Sequence, residues 1–196
     1  MRMSEDMLAT FEALLAEASS SADPEPTAMV LATATPDGEV SARTVLLKGH
    51  DARGFVFYTN SLSTKGRQLA ANARGSLLFL WKHVRNQVQV RIDGPVERIE
   101  DKQSDDYFAS RPRESQLGAW ASLQSEVLDS REQFDQRYAA YESEFEGRDV
   151  PRPPHWFGYR VRPLRVEFWY GQSFRLHERV VHEWRDGAWQ TAMRYP

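Results

Sequence analysis

Ala28-Met-Val-Leu-Ala-Thr-Ala-Thr-Pro-Asp-Gly-Glu-Val-Ser-Ala-Arg-Thr-Val-Leu-Leu47 is the stretch that decides the fold. Ala28 to Thr35 reads as a strand. Pro36-Asp37-Gly38 reads as a tight turn, because proline presets φ and glycine tolerates positive φ. Val40 to Leu47 returns as a second strand, so the stretch is a β-hairpin. On its N-terminal side, Met7, Leu8, Phe11, Leu14 and Leu15 recur at helical spacing, which predicts a helix from Glu5 to Ala18. Ser19 to Pro26, with three serines and two prolines, breaks it. On the C-terminal side, strands are predicted at Gly54–Thr59, Ser76–Trp81 and Val88–Ile99. Ser63 is placed to cap a short helix from Thr64 to about Ala73. A helix over Asp101–Ser110 should stop at Arg111-Pro112, since proline disfavours α geometry in the residue before it. Another helix is predicted from Arg131 to Phe145, followed by a rigid loop at Pro151, Pro153 and Pro154. Trp156 to Tyr195 holds three or four strands, with a hairpin turn at Asp186-Gly187. Many strands with short turns and a few peripheral helices give a mainly β (α+β) fold with a barrel-like core.

The chain has 196 residues. About 43 residues follow the proline loop, too few for a second core, so one domain is expected over 1–196. Residues 1–27 would be an N-terminal helix and loop, and 28–196 a barrel with helices. The hydrophobic set is 41% and the charged set 27%, the composition of a globular chain rather than a disordered one. A net charge of −3 argues against bulk binding of nucleic acid or anionic membrane, though not against local basic pockets. No segment has the ~20 apolar residues of a membrane span, and the start at Glu5 and Asp6 is unlike a signal peptide. There is no cysteine, which excludes disulfides and thiolate chemistry. A cytoplasmic protein is expected.

Three groups of residues could carry chemistry. Arg175, His177 and Arg179 would share one face of a strand and span about 13 Å at ~3.3 Å per residue, suiting a planar anion. They equally suit a charged edge strand that resists aggregation. Tyr107, Arg111, Arg113 and Ser115 make a plausible phosphate cradle, or merely cations at a helix end. Arg43 and Lys48, five apart, would face opposite sides of a regular strand. Both can meet one ligand only if the strand ends or bulges near Leu47. Ser63 and Lys65 open the next helix, whose free N–H groups favour phosphate, although a capped surface helix is the commoner reading. Trp81, Trp120, Trp156 and Trp169 lie in or beside strands, where large aromatics are usually core. No dinucleotide-binding glycine pattern, phosphate-binding P-loop or serine-nucleophile motif is present, and His155, His177 and His182 do not form a metal set.

Taken together, six blocks resemble the pyridoxine (pyridoxamine) 5′-phosphate oxidase family, in that family's order, from about Ala28 to Pro196. They are Arg43-Thr-Val-Leu-Leu-Lys48, Phe57-Tyr-Thr-Asn60, Tyr107-Phe-Ala-Ser-Arg-Pro-Arg-Glu-Ser115, Gly118-Ala-Trp-Ala-Ser-Leu-Gln-Ser125, Val166-Glu-Phe-Trp169 and Arg175-Leu-His-Glu-Arg179. The resemblance implies an FMN-binding split β-barrel, with FMN at the interface of a two-fold homodimer. It also implies oxidation of a phosphorylated pyridine by dioxygen, which yields pyridoxal 5′-phosphate and hydrogen peroxide. Carried over residue by residue, Arg43, Lys48, Tyr58, Thr59, Lys65, Gln89, Gln124, Ser125, Trp169 and Arg179 would contact FMN. Lys48, Tyr107, Arg111 and Ser115 would hold the substrate phosphate. Arg175 and His177 would cover the pyridine ring and act as the catalytic pair.

Three departures stand out. The family's usual Ser-Arg-Lys is here Ser63-Thr64-Lys65, which removes one phosphate-binding guanidinium and would weaken FMN binding. The stretch Trp81 to Gln89 looks two residues longer than usual, so Gln87 and Gln89 compete for the flavin contact. Both would point to one strand face, and spacing to Gly94 favours Gln89. A basic N-terminal arm, which covers the substrate in some members, has no counterpart.

Overall fold

The computed structural model describes residues 2–196. Its elements follow in chain order: α1 (Glu5–Ser19), β1 (Ala28–Ala34), β2 (Val40–Leu46), β3 (Gly49–Asp51), β4 (Gly54–Asn60), α2 (Thr64–Ala71), β5 (Arg74–Trp81) and β6 (Val88–Arg98). Then come α3 (Asp101–Ala109), α4 (Arg113–Ala121), α5 (Arg131–Glu144), β7 (Trp156–Val161), β8 (Arg165–Tyr170), β9 (Glu178–Arg185) and β10 (Ala188–Arg194). Every strand pairing is antiparallel. The main path runs β10-β9-β8-β6-β5-β1-β2, and β7 joins β6 to β4, which pairs with β3.

The long strand β6 makes the barrel split. Its first half, Val88 to Asp93, pairs with β8, and its end, Val96 to Arg98, pairs with β7. Gly94 sits between the two pairings. A Cβ there would lie 1.9 Å from the Arg162 carbonyl oxygen, so only glycine admits this close approach.

Alternation along the strands sets two faces. Leu31, Leu77, Ile92 and Val166 are in register and fully buried, forming the inner face. Helix α1 closes this core with Met7, Phe11, Leu14 and Ala18, the stripe expected of an amphipathic helix. The Phe11 ring meets Phe55 at 4.8 Å and Phe79 at 5.4 Å, edge to face. Ser4 caps the helix by accepting from the Met7 N–H. A second core lies under α3–α5, formed by Phe108, Leu117, Phe145, Val150 and Trp156.

The first hairpin and the last match their sequence readings. Gly38 has φ +94, and Asp186 and Gly187 have φ +53 and +81, the left-handed pair a two-residue hairpin turn requires. Elsewhere the sequence reading is corrected. Strand β3 and helix α4 were not expected. Pro112 does end the preceding helical run, but it is also the residue that opens α4, where a missing N–H costs nothing. Arg175 and His177 are not on a strand. Ser173 to Arg175 form a tight turn in which Phe174 and Arg175 have φ +58 and +63, and β9 begins only at Glu178. Gln87 has φ +81 and precedes β6, so it shares no strand face with Gln89. No described helix is long and apolar enough to cross a membrane.

Candidate functional site

One cavity of about 700 Å3 gathers most of the residues singled out in the sequence. Strand β2 ends at Leu46, and the Lys48 N–H then bonds the Val56 carbonyl of β4 instead of β1. That change of partner lets Arg43 and Lys48 line the same cavity, the condition their odd spacing demanded. Strand β4 contributes Tyr58 and Thr59, α2 contributes Lys65, α3 contributes Tyr107, and Arg111, Ser115 and Gln124 come from α4 and its flanks. Ser63 caps α2, its Oγ accepting from the Gly66 N–H. A Cβ at Gly66 would sit 2.3 Å from the Ser61 carbonyl oxygen, so glycine lets the chain fold back tightly at this helix start. The segment after α4 crosses that start. Ser125 Oγ accepts from the Thr64 N–H at 3.2 Å, and Gln124 Oε1 accepts from Lys65 Nζ at 2.8 Å and Thr59 Oγ1 at 3.2 Å.

Four cationic side chains line the cavity, and no carboxylate does. Arg43 donates to the Leu31 carbonyl, Thr33 Oγ1 and Ser41 Oγ, all neutral acceptors. Burial lowers its pKa. Lys65 is pushed down to about 8, first by burial and then by the charge of Arg43. Burial also lowers the pKa of Arg111, whose Nη1 is buried without any partner. Its guanidinium lies 4.8 Å over the Trp156 ring. Partly buried cations without a carboxylate partner are costly, and an anionic ligand would relieve that cost. Arg113 is different. It donates to the Phe145 and Arg148 carbonyls, closing the C-terminal end of α5, so the helix-end reading holds for this arginine alone.

The remaining candidates lie elsewhere. Gln89, Trp169 and Arg179 are cross-strand neighbours on β6, β8 and β9, on the outer sheet face. Arg43 shares the inner face with its partner Leu31. From β8 to β2 is four strand steps along the main path of the sheet. Arg179 Nε donates to Glu167 Oε1 at 2.6 Å, and the almost fully buried Glu167 also holds Arg91 and Arg165. His177 packs 4.4 Å from Trp169, and its Nδ1 accepts from the Gln172 N–H. Sequence reasoning assigned no role to Glu167, although it lies inside a quoted block. Trp156 is a core aromatic, as the sequence suggests, and it also lines the cavity.

The fold is that of a split-barrel protein, and its cavity is lined by cations without a carboxylate, a lining suited to anionic ligands. Two family descriptions match: pyridoxamine 5′-phosphate oxidase over residues 15–147, and the pyridoxine 5′-phosphate oxidase C-terminal dimerisation region over residues 156–196. The pyridoxine/pyridoxamine 5′-phosphate oxidase of Xanthomonas euvesicatoria pv. vesicatoria is 57% identical over 194 residues, covering 97% of each chain. PhzG from Burkholderia lata 383, solved in complex with tetrahydrophenazine-1-carboxylic acid, is 32% identical with a TM-score of 0.87, covering 100% of this chain and 94% of that one. A pyridoxamine 5′-phosphate oxidase-related, FMN-binding protein from Nostoc punctiforme shares the fold, with a TM-score of 0.76 at 15% identity and full coverage of both chains. The chain belongs to the pyridoxamine 5′-phosphate oxidase family.

Proposed function

We propose that the protein oxidises pyridoxamine or pyridoxine 5′-phosphate to pyridoxal 5′-phosphate with bound FMN and dioxygen, as a homodimer folded as one domain per chain. The observation that carries this reading is the cavity lined by Arg43, Lys48, Lys65 and Arg111 without a carboxylate. Two phosphorylated ligands, cofactor and substrate, suit that charge. The buried Nη1 of Arg111 is an orphan donor of the kind a phosphate oxygen satisfies.

Arg43, Lys48, Tyr58, Thr59, Lys65, Gln124 and Ser125 would hold FMN, with Lys65 at the helix start suited to its phosphate. Lys48, Tyr107, Arg111 and Ser115 would hold the substrate phosphate. Gln89, Trp169 and Arg179 point from the opposite sheet face. They reach FMN only if a second copy supplies them, which supports a site shared across a two-fold interface. His177, beside Trp169, and Arg175, two residues before it, would come from that same copy.

Bound FMN would supply the two-electron chemistry, as acceptor for the hydride lost from the substrate's 4′ carbon and donor to dioxygen, which becomes hydrogen peroxide. From the amine substrate the product would be an imine, which takes up water to give the aldehyde and ammonia, whereas the alcohol would give the aldehyde directly. The chain's own work is to orient and to hold charge. Arg111 and Lys48 fix the phosphate, and so the distance of the reacting carbon, where small misplacements are costly. His177 Nδ1 already accepts a bond, so the neutral ring carries its proton on Nε2, where it can donate to the substrate's ring oxygen. Arg175, exposed and charged, completes the cover over the ring.

A ring without phosphate, such as the tricyclic carboxylate bound to the Burkholderia relative, is the rival substrate. It would not use the Lys48, Tyr107, Arg111 and Ser115 group as a phosphate site. The test is spectroscopic. FMN-loaded protein should bleach anaerobically on adding pyridoxamine 5′-phosphate, then regain its yellow colour in air with release of hydrogen peroxide. Bleaching by the tricyclic acid but by neither phosphorylated vitamer would overturn the reading.

A further inference from the structure

Arg111 has a feature its proposed role leaves unexplained: nothing charged orients it. Arg111 is half-buried, and a guanidinium so placed is commonly fixed by a carboxylate, yet no carboxylate lines its cavity and its buried Nη1 has no partner at all. What it does have is an aromatic floor. Its guanidinium carbon lies 4.8 Å from the Trp156 ring centre and 5.5 Å from that of Phe108. Trp156 is only 7% exposed and lines the same cavity. Its own position is over-determined. The ring stacks on Tyr58 at 5.1 Å and 9°, Tyr58 stacks on Tyr107 at 4.1 Å and 16°, and Phe108 meets Trp156 edge-on at 5.1 Å. Backbone ties fix the strand start as well, because the Trp156 N–H bonds the Pro153 carbonyl and Arg152 Nη1 bonds the Trp156 carbonyl.

We infer that Trp156 is a positioning residue for substrate phosphate: its indole face holds the Arg111 guanidinium in place of a carboxylate and so sets the preference for phosphorylated over unphosphorylated substrates. The inference rests on the assignment of Arg111 to the substrate phosphate. The physical logic is one of charge. A carboxylate would orient Arg111 equally well, but it would neutralise the cation and repel a phosphate dianion. An indole attracts the cation through its ring quadrupole and leaves the net charge available. The slab Trp156–Tyr58–Tyr107 also joins a proposed flavin contact to a proposed phosphate contact as one rigid stack, which fixes the two sites relative to each other.

The test compares Arg111→Ala, Trp156→Leu and Trp156→Phe by steady-state kinetics of the FMN-loaded enzyme. The substrates are pyridoxamine 5′-phosphate and unphosphorylated pyridoxamine. The readout is the ratio of the two kcat/KM values. Trp156→Leu should lower that ratio about fivefold or more, through KM for the phosphorylated amine rather than kcat. Trp156→Phe, with a weaker ring quadrupole, should lower it about two- to threefold. In the Arg111→Ala background, Trp156→Leu should change the ratio no further. Equal losses on both substrates would make Trp156 a packing residue and overturn the inference. If Trp156→Leu does not fold, Trp156→Phe decides alone, and an unchanged ratio overturns it. Should Arg111→Ala lower the ratio while both Trp156 variants leave it intact, the phosphate assignment stands and only this inference falls. A ratio unmoved by Arg111→Ala would remove both.

Discussion

Replacing Lys65 by methionine keeps the length of the side chain and deletes its charge, and the structure gives the consequences opposite signs in the empty and the FMN-bound protein. Lys65 is 8% exposed, bonded only to Gln124 Oε1 and Ser63 Oγ, with Arg43 as the charged neighbour that raises the cost of its ionisation. Its pKa is lowered from 10.5 to about 8. Between those values the unfolded chain binds the extra proton. The group's contribution to stability of the empty protein therefore rises with pH from about 8 to 10.5 and is a constant penalty below. Lys65→Met should remove that penalty, so the empty variant should melt at the same temperature as the parent or higher at pH 7. Phosphate binding needs the charged form. A lost charge-assisted contact costs about 1.5–3 kcal/mol, which is about 10- to 150-fold in the FMN dissociation constant. In the parent, affinity should also fall above about pH 8, by up to about tenfold per unit, as Lys65 deprotonates. The variant should lack that limb. Titrations following flavin fluorescence from about pH 6 to 10, with melts of the empty protein, measure both effects. An unchanged dissociation constant, or a variant that keeps the alkaline limb, would refute this account of Lys65.

Arg111→Ala should raise KM for pyridoxamine 5′-phosphate strongly while affecting unphosphorylated pyridoxamine far less, and equal effects on both in steady-state assays would return Arg111 to a structural role. Coexpressed Lys65→Met and Arg179→Ala chains should form mixed dimers in which one site carries both lesions and the other neither. Activity should then recover to about a quarter of the parental sites at random pairing, whereas a site contained in one chain would show no recovery. Glu167→Gln leaves Arg91, Arg165 and Arg179 around a neutral amide. Breaking such a buried group costs about 3–5 kcal/mol, or roughly 6–20 °C in calorimetric melting temperature for a chain of this size, and an unchanged melt would mean water screens the cluster.

How far these residues could be read from sequence depended on how local their causes are. The hairpin over Ala28–Leu47 is local: proline and glycine impose the turn, and Gly38 adopts the positive φ that glycine alone takes cheaply. Helix α2 was equally legible, since Ser63 is its cap. The turn at Phe174 and Arg175 was not. Neither residue type favours positive φ, so nothing in the alternating pattern warned that Arg175 and His177 leave the strand before Glu178. Helix α4 was hidden because Pro112 signals an end and a beginning with the same letter.

The division of the site between two faces has a cause that no local pattern contains. Side-chain parity puts Arg43 on the Leu31 face and Gln89 on the other, but only within each strand. Whether those faces belong to one sheet depends on β1, β5 and β6 pairing in register, contacts between segments far apart in the chain. Glu167 is the extreme case. Among hydrophobic letters it reads as one exposed acid in a strand. Its burial appears only once β6 brings Arg91 and β9 brings Arg179 to either side. The same pairing holds Arg179 Nε by Glu167 and its Nη1 by the Tyr195 carbonyl. The guanidinium is thus oriented on the outer face before any ligand or second copy arrives. That side chain is fixed on β9, five strand steps along the main path from β2, on the opposite sheet face from Arg43 and outside the residues that line the cavity of its own chain. On the proposed function, that preorganisation would serve a flavin in the cavity of a second copy, which is why the mixed-dimer experiment bears on the fold as directly as on the chemistry.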